Sequence, residues 1–209
     1  MKKNIKSAVP SKSPYKSVIT RERFLFYEVR TTAKLVLENL TREQIIEKIV
    51  EDNLFQYPTE KVLRRMAGTC LQRLEVLDDR SLVEAIALQP SDIAKQICLY
   101  AMMKQYRLIW DFMITVIGEK YRLLDMHFSR VDLNSFFLRL QEQDDVVASW
   151  SDNTIVKIKQ VIVQILVENG YLDNTKSETL NPVWLHPILE NVIREKHEEI
   201  ALPAFNCFS

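Results

Sequence analysis

The stretch from Ser151 to Pro182 limits the possible folds more than any other part of this 209-residue chain. Apolar residues recur at helical spacing from Ile155 to Leu166, directly after a Ser-Asp-Asn-Thr sequence that is typical of a helix start. We expect the helix to stop at Gly170, one of only three glycines. Glycine readily adopts the left-handed conformation that often follows a last helical turn.

Two short pairs of residues follow this helix, Tyr171-Leu172 and Thr179-Leu180, and the polar residues 173–177 lie between them. This pattern predicts a small β-hairpin. Helix, glycine stop and hairpin in this order indicate a winged helix-turn-helix, which commonly places its helix at a DNA groove and its wing beside the backbone. Because the same fold also serves as a protein-contact module, the fold alone leaves both functions open.

The rest of the chain is predicted to be helical, so the expected class is all-α with a small β-hairpin wing. The apolar segment from Ile93 to Tyr121 predicts two helices that break near Gln105-Tyr106. Helix starts are predicted at residues able to cap a first turn: Thr20, Thr41 with Gln44, Thr59, Ser81 with Glu84, and Ser129 or Asp132. Pro90-Ser91 is expected to open the apolar segment.

Charge is distributed unevenly along the chain, although 28 basic and 28 acidic residues give no net charge. Seven basic residues and one acidic residue occur up to Arg23, which leaves 21 basic and 27 acidic residues beyond it. We therefore expect a basic flexible arm over 1–19, an N-terminal helical domain over 20–128 and a C-terminal winged-helix domain over 129–209. The arm suits contact with phosphate, and it equally suits a solvated tail that keeps the protein soluble.

The predicted helices 41–53 and 59–77 form a second helix-turn-helix candidate. The face of the second helix opposite its apolar stripe carries a group of cations, and Thr59 stands at its N-terminus, where backbone N–H groups favour phosphate. Such a face suits docking in a DNA groove. Alternatively, these cations form an ordinary solvent-exposed helix surface that binds nothing. We expect this helix to be the main DNA reader because it offers more adjacent cations than the helix 151–169.

On the helix 151–169, three valines share the side opposite the core face: Val156, Val163 and Val167. A helix that is apolar on two sides is usually buried on both, so we expect its C-terminal half to be packed against another part of the protein or against a partner. Only the first turns then remain for DNA. The candidate DNA-contact residues of the whole chain are Lys12, Lys16, Thr59, Lys61, Arg64, Arg65, Arg73, Ser151, Asn153, Thr154, Lys157 and Lys176.

Signals of catalysis are missing from the sequence. The glycines do not cluster into a phosphate loop, and the three histidines have no partner at metal-ligand spacing. We therefore predict no enzyme activity, no cofactor, no metal and no small-molecule substrate. No segment has the pattern of a signal peptide or a membrane span, and Cys70, Cys98 and Cys207 fit reduced thiols, so a cytoplasmic protein is expected.

An ordered set of short motifs over residues 15 to 190 resembles the BrxA family. They are residues 15–20, 28–30, 52–55, 108–113, 119–121, 150–151, 154–157, 160–161, Leu166, 170–173 and 180–182. The resemblance implies a small helical component of the bacterial BREX phage-exclusion systems. It also implies binding to double-stranded DNA without catalysis, alongside other BREX proteins.

Two functions from different classes follow from these patterns. The first is non-enzymatic DNA binding within the defence system, mainly through phosphate contacts and with weak sequence specificity. The second is a helical adaptor that holds other defence proteins without binding DNA itself, which the zero net charge and the valine stripe favour.

Overall fold

The computed structural model describes residues 13–208, and helices dominate it. A 3₁₀ turn over Ser17–Thr20 comes first, and a 3₁₀ segment over Glu199–Phe205 comes last. The α-helices between them are α1 (Phe26–Leu37), α2 (Arg42–Glu51), α3 (Glu60–Glu75), α4 (Arg80–Leu88), α5 (Ser91–Gln105), α6 (Arg107–Phe112), α7 (Glu119–Arg122), α8 (Arg130–Gln143), α9 (Asp145–Ala148), α10 (Asp152–Glu168) and α11 (Pro187–Glu195).

Helix α1 lies at the centre of the N-terminal half, where it packs against α3, α4 and α5. Helix α2 packs on α3, as a helix-turn-helix pair requires. The capping box predicted at Thr41 is confirmed, since its hydroxyl accepts from the Gln44 amide N–H and its own N–H donates to the Gln44 side chain at 2.8 Å. The Thr59 cap of α3 is also confirmed.

Two predicted caps are wrong. Thr20 ends the first 3₁₀ turn, and α1 starts only after Leu25, whose φ of 57° places it in the left-handed region. The cap of α4 is Asp79, whose carboxylate accepts from the Leu82 N–H at 3.0 Å. Both errors arose because several residues near each boundary can cap a helix, and tertiary packing selects among them.

The apolar segment 91–122 breaks where the sequence indicates. Tyr106 adopts an extended conformation between α5 and α6, which confirms the predicted break. Beyond α6 the helical segment continues through a π-helical stretch, Met113–Gly118, into α7. Gly118 meets the last 3₁₀ segment so closely that a Cβ atom there would lie 3.1 Å from Pro203, which explains the glycine.

Helix α10 ends in a Schellman motif at Gly170, as predicted. Gly170 has a φ of 76°, its N–H donates to the Val167 carbonyl at 3.1 Å, and the Tyr171 N–H donates to the Leu166 carbonyl at 2.9 Å. Leu166 and Tyr171 are both buried, which supplies the hydrophobic contact typical of this motif. Of the three valines, Val163 and Val167 pack against the core as expected, whereas Val156 is 51% exposed.

The predicted β-hairpin wing is wrong. In residues 13–208 the only β pairing is an isolated antiparallel bridge between His127 and Thr179. It is extended by hydrogen bonds from the Leu180 N–H to the Met126 carbonyl at 2.7 Å and from the Phe128 N–H to the Glu178 carbonyl. The expected returning strand therefore pairs with the chain before α8, and Tyr171 is instead buried with its hydroxyl donating to the Ala204 carbonyl.

Both sides of the predicted domain boundary at 128/129 contribute to one buried cluster, which runs from Ile19 to Phe205. The carboxyl end of the predicted arm, residues 13–19, also packs on this body. Ile19 is fully buried, the 3₁₀ turn contacts α10, and the Tyr15 hydroxyl donates to Asp111 at 2.8 Å.

Candidate nucleic-acid interface

The first turns of α3 carry the cations that the sequence singled out, and the structure separates them into two kinds. Lys61 and Arg65 are exposed, and neither takes part in an ion pair with any residue of the described chain. Thr59 is exposed beside them, but its hydroxyl is used in capping the helix. Lys61 and Arg65 are therefore available to phosphate.

Arg64 is held by two carboxylates. Its guanidinium donates to both oxygens of Glu47 on α2, at 2.8 and 3.0 Å, and to Glu60 at 2.7 Å. These bonds raise the pKa of Arg64, and the bond from Arg64 lowers the pKa of Glu47. Glu47 and Glu60 are both exposed, so they cancel much of the positive potential that α3 would offer to DNA.

Arg73 is a correction to the predicted DNA-contact set, because its side chain is only 1% exposed. It donates to the carbonyl groups of Glu22, Arg23 and Phe24 in the segment before α1. The prediction was wrong because it placed Arg73 on the exposed side of α3. Arg73 follows Met66 by seven residues, close to two helical turns, so both side chains point to the same buried side of α3.

The first turn of α10 presents the other predicted candidates. The Ser151 hydroxyl caps the helix by accepting from the Thr154 N–H at 3.3 Å, and it also lies 3.0 Å from the Thr154 hydroxyl. Both hydroxyls are thus occupied. Asn153 is exposed in the same first turn and Lys157 in the next one, so they are the two side chains of this set that can reach a ligand.

A groove of about 530 Å³ lies between the segment 20–24 and α10, and we call it the α10 groove. Arg23 and Lys157 line it together with the amides of Gln160 and Gln164, while Phe24, Val161 and Ile165 contribute apolar surface. Arg23 and Lys157 are exposed, and neither forms an ion pair in the part of the chain that the structure describes. Cations and amides are the groups that bind phosphates and base edges.

One carboxylate, that of Glu168, also lines the α10 groove. Burial raises the pKa of Glu168, although Gln164 and Arg23 act in the opposite direction. Glu168 therefore offsets part of the charge of Arg23, whereas Lys157 lies about three helical turns away on α10 and keeps its positive potential.

The remaining candidates lie apart from the α10 groove. Lys176 is exposed in the turn after α10, where its N–H donates to the Asn174 side chain at 2.9 Å. Lys16 lines a separate cavity of about 420 Å³ with Lys104 and Arg107. Lys12 lies outside the described residues. The structure therefore divides the predicted set among α3, α10 and the N-terminal segment.

Arg23 is the residue that the sequence interpretation missed. It was counted in the basic N-terminal segment but was not selected, because nothing local places residue 23 against a helix that begins about 130 residues later. The charge excess up to Arg23 was the one signal that could have pointed to it.

Residues 13–208 were also compared with the requirements of a metal site and of a membrane-spanning helix. No group of three His, Cys, Asp or Glu side chains there could hold a metal ion. Within the same residues, no helix has both the length and the apolar character needed to cross a membrane.

Comparison with known proteins gives the same family as the short sequence motifs. The sequence profile of the BrxA family matches residues 13–197. A protein of Bacillus cereus (strain H3081.97) named "BREX protein BrxA" is 38% identical over 180 residues, which cover 85% of this chain and 90% of the relative. A protein of the same name from Escherichia coli O9:H4 (strain HS) is 28% identical, over 80% of this chain and 78% of its own length.

A solved structure shares the fold. It is the crystal structure of an uncharacterized protein from Magnetospirillum magneticum, which superposes with a TM-score of 0.78. The match covers 92% of this chain and 98% of the other, at 24% sequence identity. The sequence profile, which spans most of the chain, and the 38% identical relative together show that this protein belongs to the BrxA family.

Proposed function

We propose that this protein is a non-enzymatic component of a BREX phage-defence system that binds double-stranded DNA in the cytoplasm. The family assignment supports a place in the system, because the curated relatives carry the name "BREX protein BrxA". Residues of this chain support the DNA partner. Its binding is mainly electrostatic and only weakly specific for sequence.

The observation that carries the DNA proposal is the convergence of Arg23 and Lys157 on the α10 groove. These two exposed cations come from segments far apart in sequence, and the amides of Gln160 and Gln164 lie beside them. A duplex backbone running along α10 would meet both cations, while the amides would face the bases or sugars. Two amides and few other base-reading groups favour weak specificity.

The test is the salt dependence of duplex binding. Fluorescence anisotropy with a labelled 25-base-pair duplex, over roughly 50 to 200 mM salt, gives the slope of log affinity against log salt. The double variant Arg23→Ala/Lys157→Ala removes two phosphate contacts, so we expect the slope to become shallower by about 1.8. A duplex of scrambled sequence should bind within about tenfold of the first.

The matched control removes the same charge from elsewhere. Arg42→Ala/Arg122→Ala eliminates two cations that are already paired with Glu75 and Glu119, so the salt slope should change little. Equal losses in both double variants would show that only net charge matters and would remove the α10 groove from the proposal. Absence of any duplex binding at 50 mM salt would reject the DNA function.

The adaptor function remains the second candidate, and an observation favours it too. Several large apolar side chains stand in solvent, among them Trp184 at 82% and Leu88 at 64% exposure. Apolar residues that lie together on a surface mark contact sites for other proteins, and Leu88 lies beside the partly exposed Ile188.

A further inference from the structure

Helices α4 and α11 enclose a second groove, of about 370 Å³, which we call the α4–α11 groove. Its floor is apolar and consists of Ala85 and Leu88 from α4 and Ile188 and Val192 from α11. Leu88 is 64% exposed although it sits at the end of a helix whose other apolar side chains are buried. The floor therefore leaves apolar surface in contact with water, where burial by a partner would stabilise it.

The rim of this groove is acidic. Asp79, Glu84 and Glu195 line it, and none of its lining residues is a lysine or an arginine. Glu84 and Glu195 are exposed and form no ion pair with any described residue, whereas Asp79 caps α4 and is partly compensated by the nearby Lys196. A groove with this potential repels a nucleic acid and attracts positively charged side chains.

An aromatic side chain stands just before α11. Trp184 is 82% exposed, but its backbone is fixed because the Gln96 amide donates to its carbonyl oxygen at 2.9 Å. The same Gln96 side chain accepts from the His186 N–H at 3.0 Å, and His186 in turn caps α11. An exposed tryptophan on a rigid backbone loses little conformational entropy on binding, which is characteristic of an interface anchor.

We propose that the α4–α11 groove is the docking site for a basic amphipathic helix of another BREX protein. Apolar residues of that helix, spaced three or four apart, lie on Leu88 and Ile188, as in other helix-in-groove complexes. Lysine or arginine residues that flank them pair with Glu84 and Glu195. Complementary charge selects this helix over DNA and over acidic segments.

The experiment uses the full chain produced together with the other proteins of its own BREX gene cluster. The photo-crosslinking residue p-benzoylphenylalanine replaces Leu88, and in a separate control it replaces Leu138, which is 59% exposed on α8. After irradiation we expect a protein adduct from position 88 only. Mass spectrometry should locate it in a helix with at least two Lys or Arg residues within one turn of the crosslinked residue.

Charge inversion tests the chemistry of the contact. Adding Glu84→Lys/Glu195→Lys to the position-88 variant should reduce adduct yield by about tenfold or more, because like charges then face each other. The milder double variant Glu84→Gln/Glu195→Gln should reduce the adduct yield less. This glutamine variant is used instead if the lysine variant has a clearly lower melting temperature than the unmodified protein. Glu43→Lys/Glu51→Lys on α2 is the matched control and should leave the yield unchanged.

Several results would overturn this proposal. They are no adduct at position 88, an equal adduct at position 138, an adduct with DNA or with a second copy of this chain, and insensitivity to charge inversion. Duplex binding by the Glu84/Glu195 variants should not become weaker than that of the unmodified protein, because these substitutions only add positive charge. A loss of docking with retained DNA binding, or the reverse, therefore distinguishes the two proposals.

Discussion

The guanidinium of Arg73 lies 2.6 Å from the carbonyl oxygen of Glu22, and this hydrogen bond joins the buried side of α3 to the segment that precedes α1. The same side chain donates to the carbonyl groups of Arg23 and Phe24, and it stacks 5.5 Å from the ring centre of Tyr106. The Tyr106 hydroxyl donates to the Glu22 carboxylate and thereby brings a negative charge close to the buried cation. Arg73 thus fixes the backbone from which Arg23 reaches the α10 groove.

Replacing Arg73 with Met should lower the free energy of unfolding by about 3 kcal/mol, because one buried and two partly buried carbonyl groups lose their donor. The methionine keeps most of the side-chain volume, so the loss reports the hydrogen bonds. Urea denaturation followed by circular dichroism measures it. Arg65→Met, on the exposed side of the same helix, is the control and should change stability by no more than about 0.5 kcal/mol. Equal effects would show that the buried network contributes nothing.

The exposed cations of α3 should contribute less to DNA binding than those of the α10 groove. We expect Lys61→Ala/Arg65→Ala to make the salt slope shallower by less than about 1, because Glu47 and Glu60 stay nearby and repel phosphate. The anisotropy titration described for Arg23 and Lys157 provides the comparison. A larger loss from the α3 pair would restore the interpretation that the sequence favoured.

Two glycines should respond in opposite directions to alanine. Gly170→Ala should destabilise the protein by about 1 kcal/mol, since its φ of 76° disfavours any side chain although no atom lies within 4 Å of the added Cβ. Gly68→Ala, within α3 and equally unobstructed, should stabilise it by up to about 1 kcal/mol. Urea midpoints of the two variants test this, and a shift of the same sign in both would contradict the backbone explanation.

The three thiols should react at very different rates. Burial raises the pKa of Cys70 and of Cys98 to about 12, so at pH 8 only about one molecule in 10⁴ carries either thiolate. Burial also raises the pKa of Cys207, but this residue is only partly buried.

With Ellman's reagent at pH 8 we therefore expect at most one reactive thiol in the folded protein and three in denaturant. Raising the pH toward 10 should speed labelling of Cys207 before that of the other two, because its thiol is the accessible one. Cys207→Ser should remove the early phase. If that phase survives the substitution, a buried cysteine must be reactive and the assignment fails.

Much of the helical framework follows from the sequence, because its signals are local. The capping box at Thr41, the extended residue at Tyr106 and the glycine stop at Gly170 each depend on a few neighbouring residues. The motifs that resemble the BrxA family were likewise sufficient to identify the family. Lys157 could be placed on an exposed face of α10 for the same reason, since periodicity alone determines which side a residue occupies.

Only the tertiary structure decided which polar residues remain free to bind a ligand. Glu47 neutralises Arg64 from another helix, Arg73 turns inward to carbonyl groups about 50 residues away, and Arg23 joins Lys157 across the fold. The predicted wing failed for the same reason, because the backbone partner of Thr179 is His127 rather than a neighbouring strand. These contacts depend on long-range packing and charge pairing, which short sequence patterns do not encode.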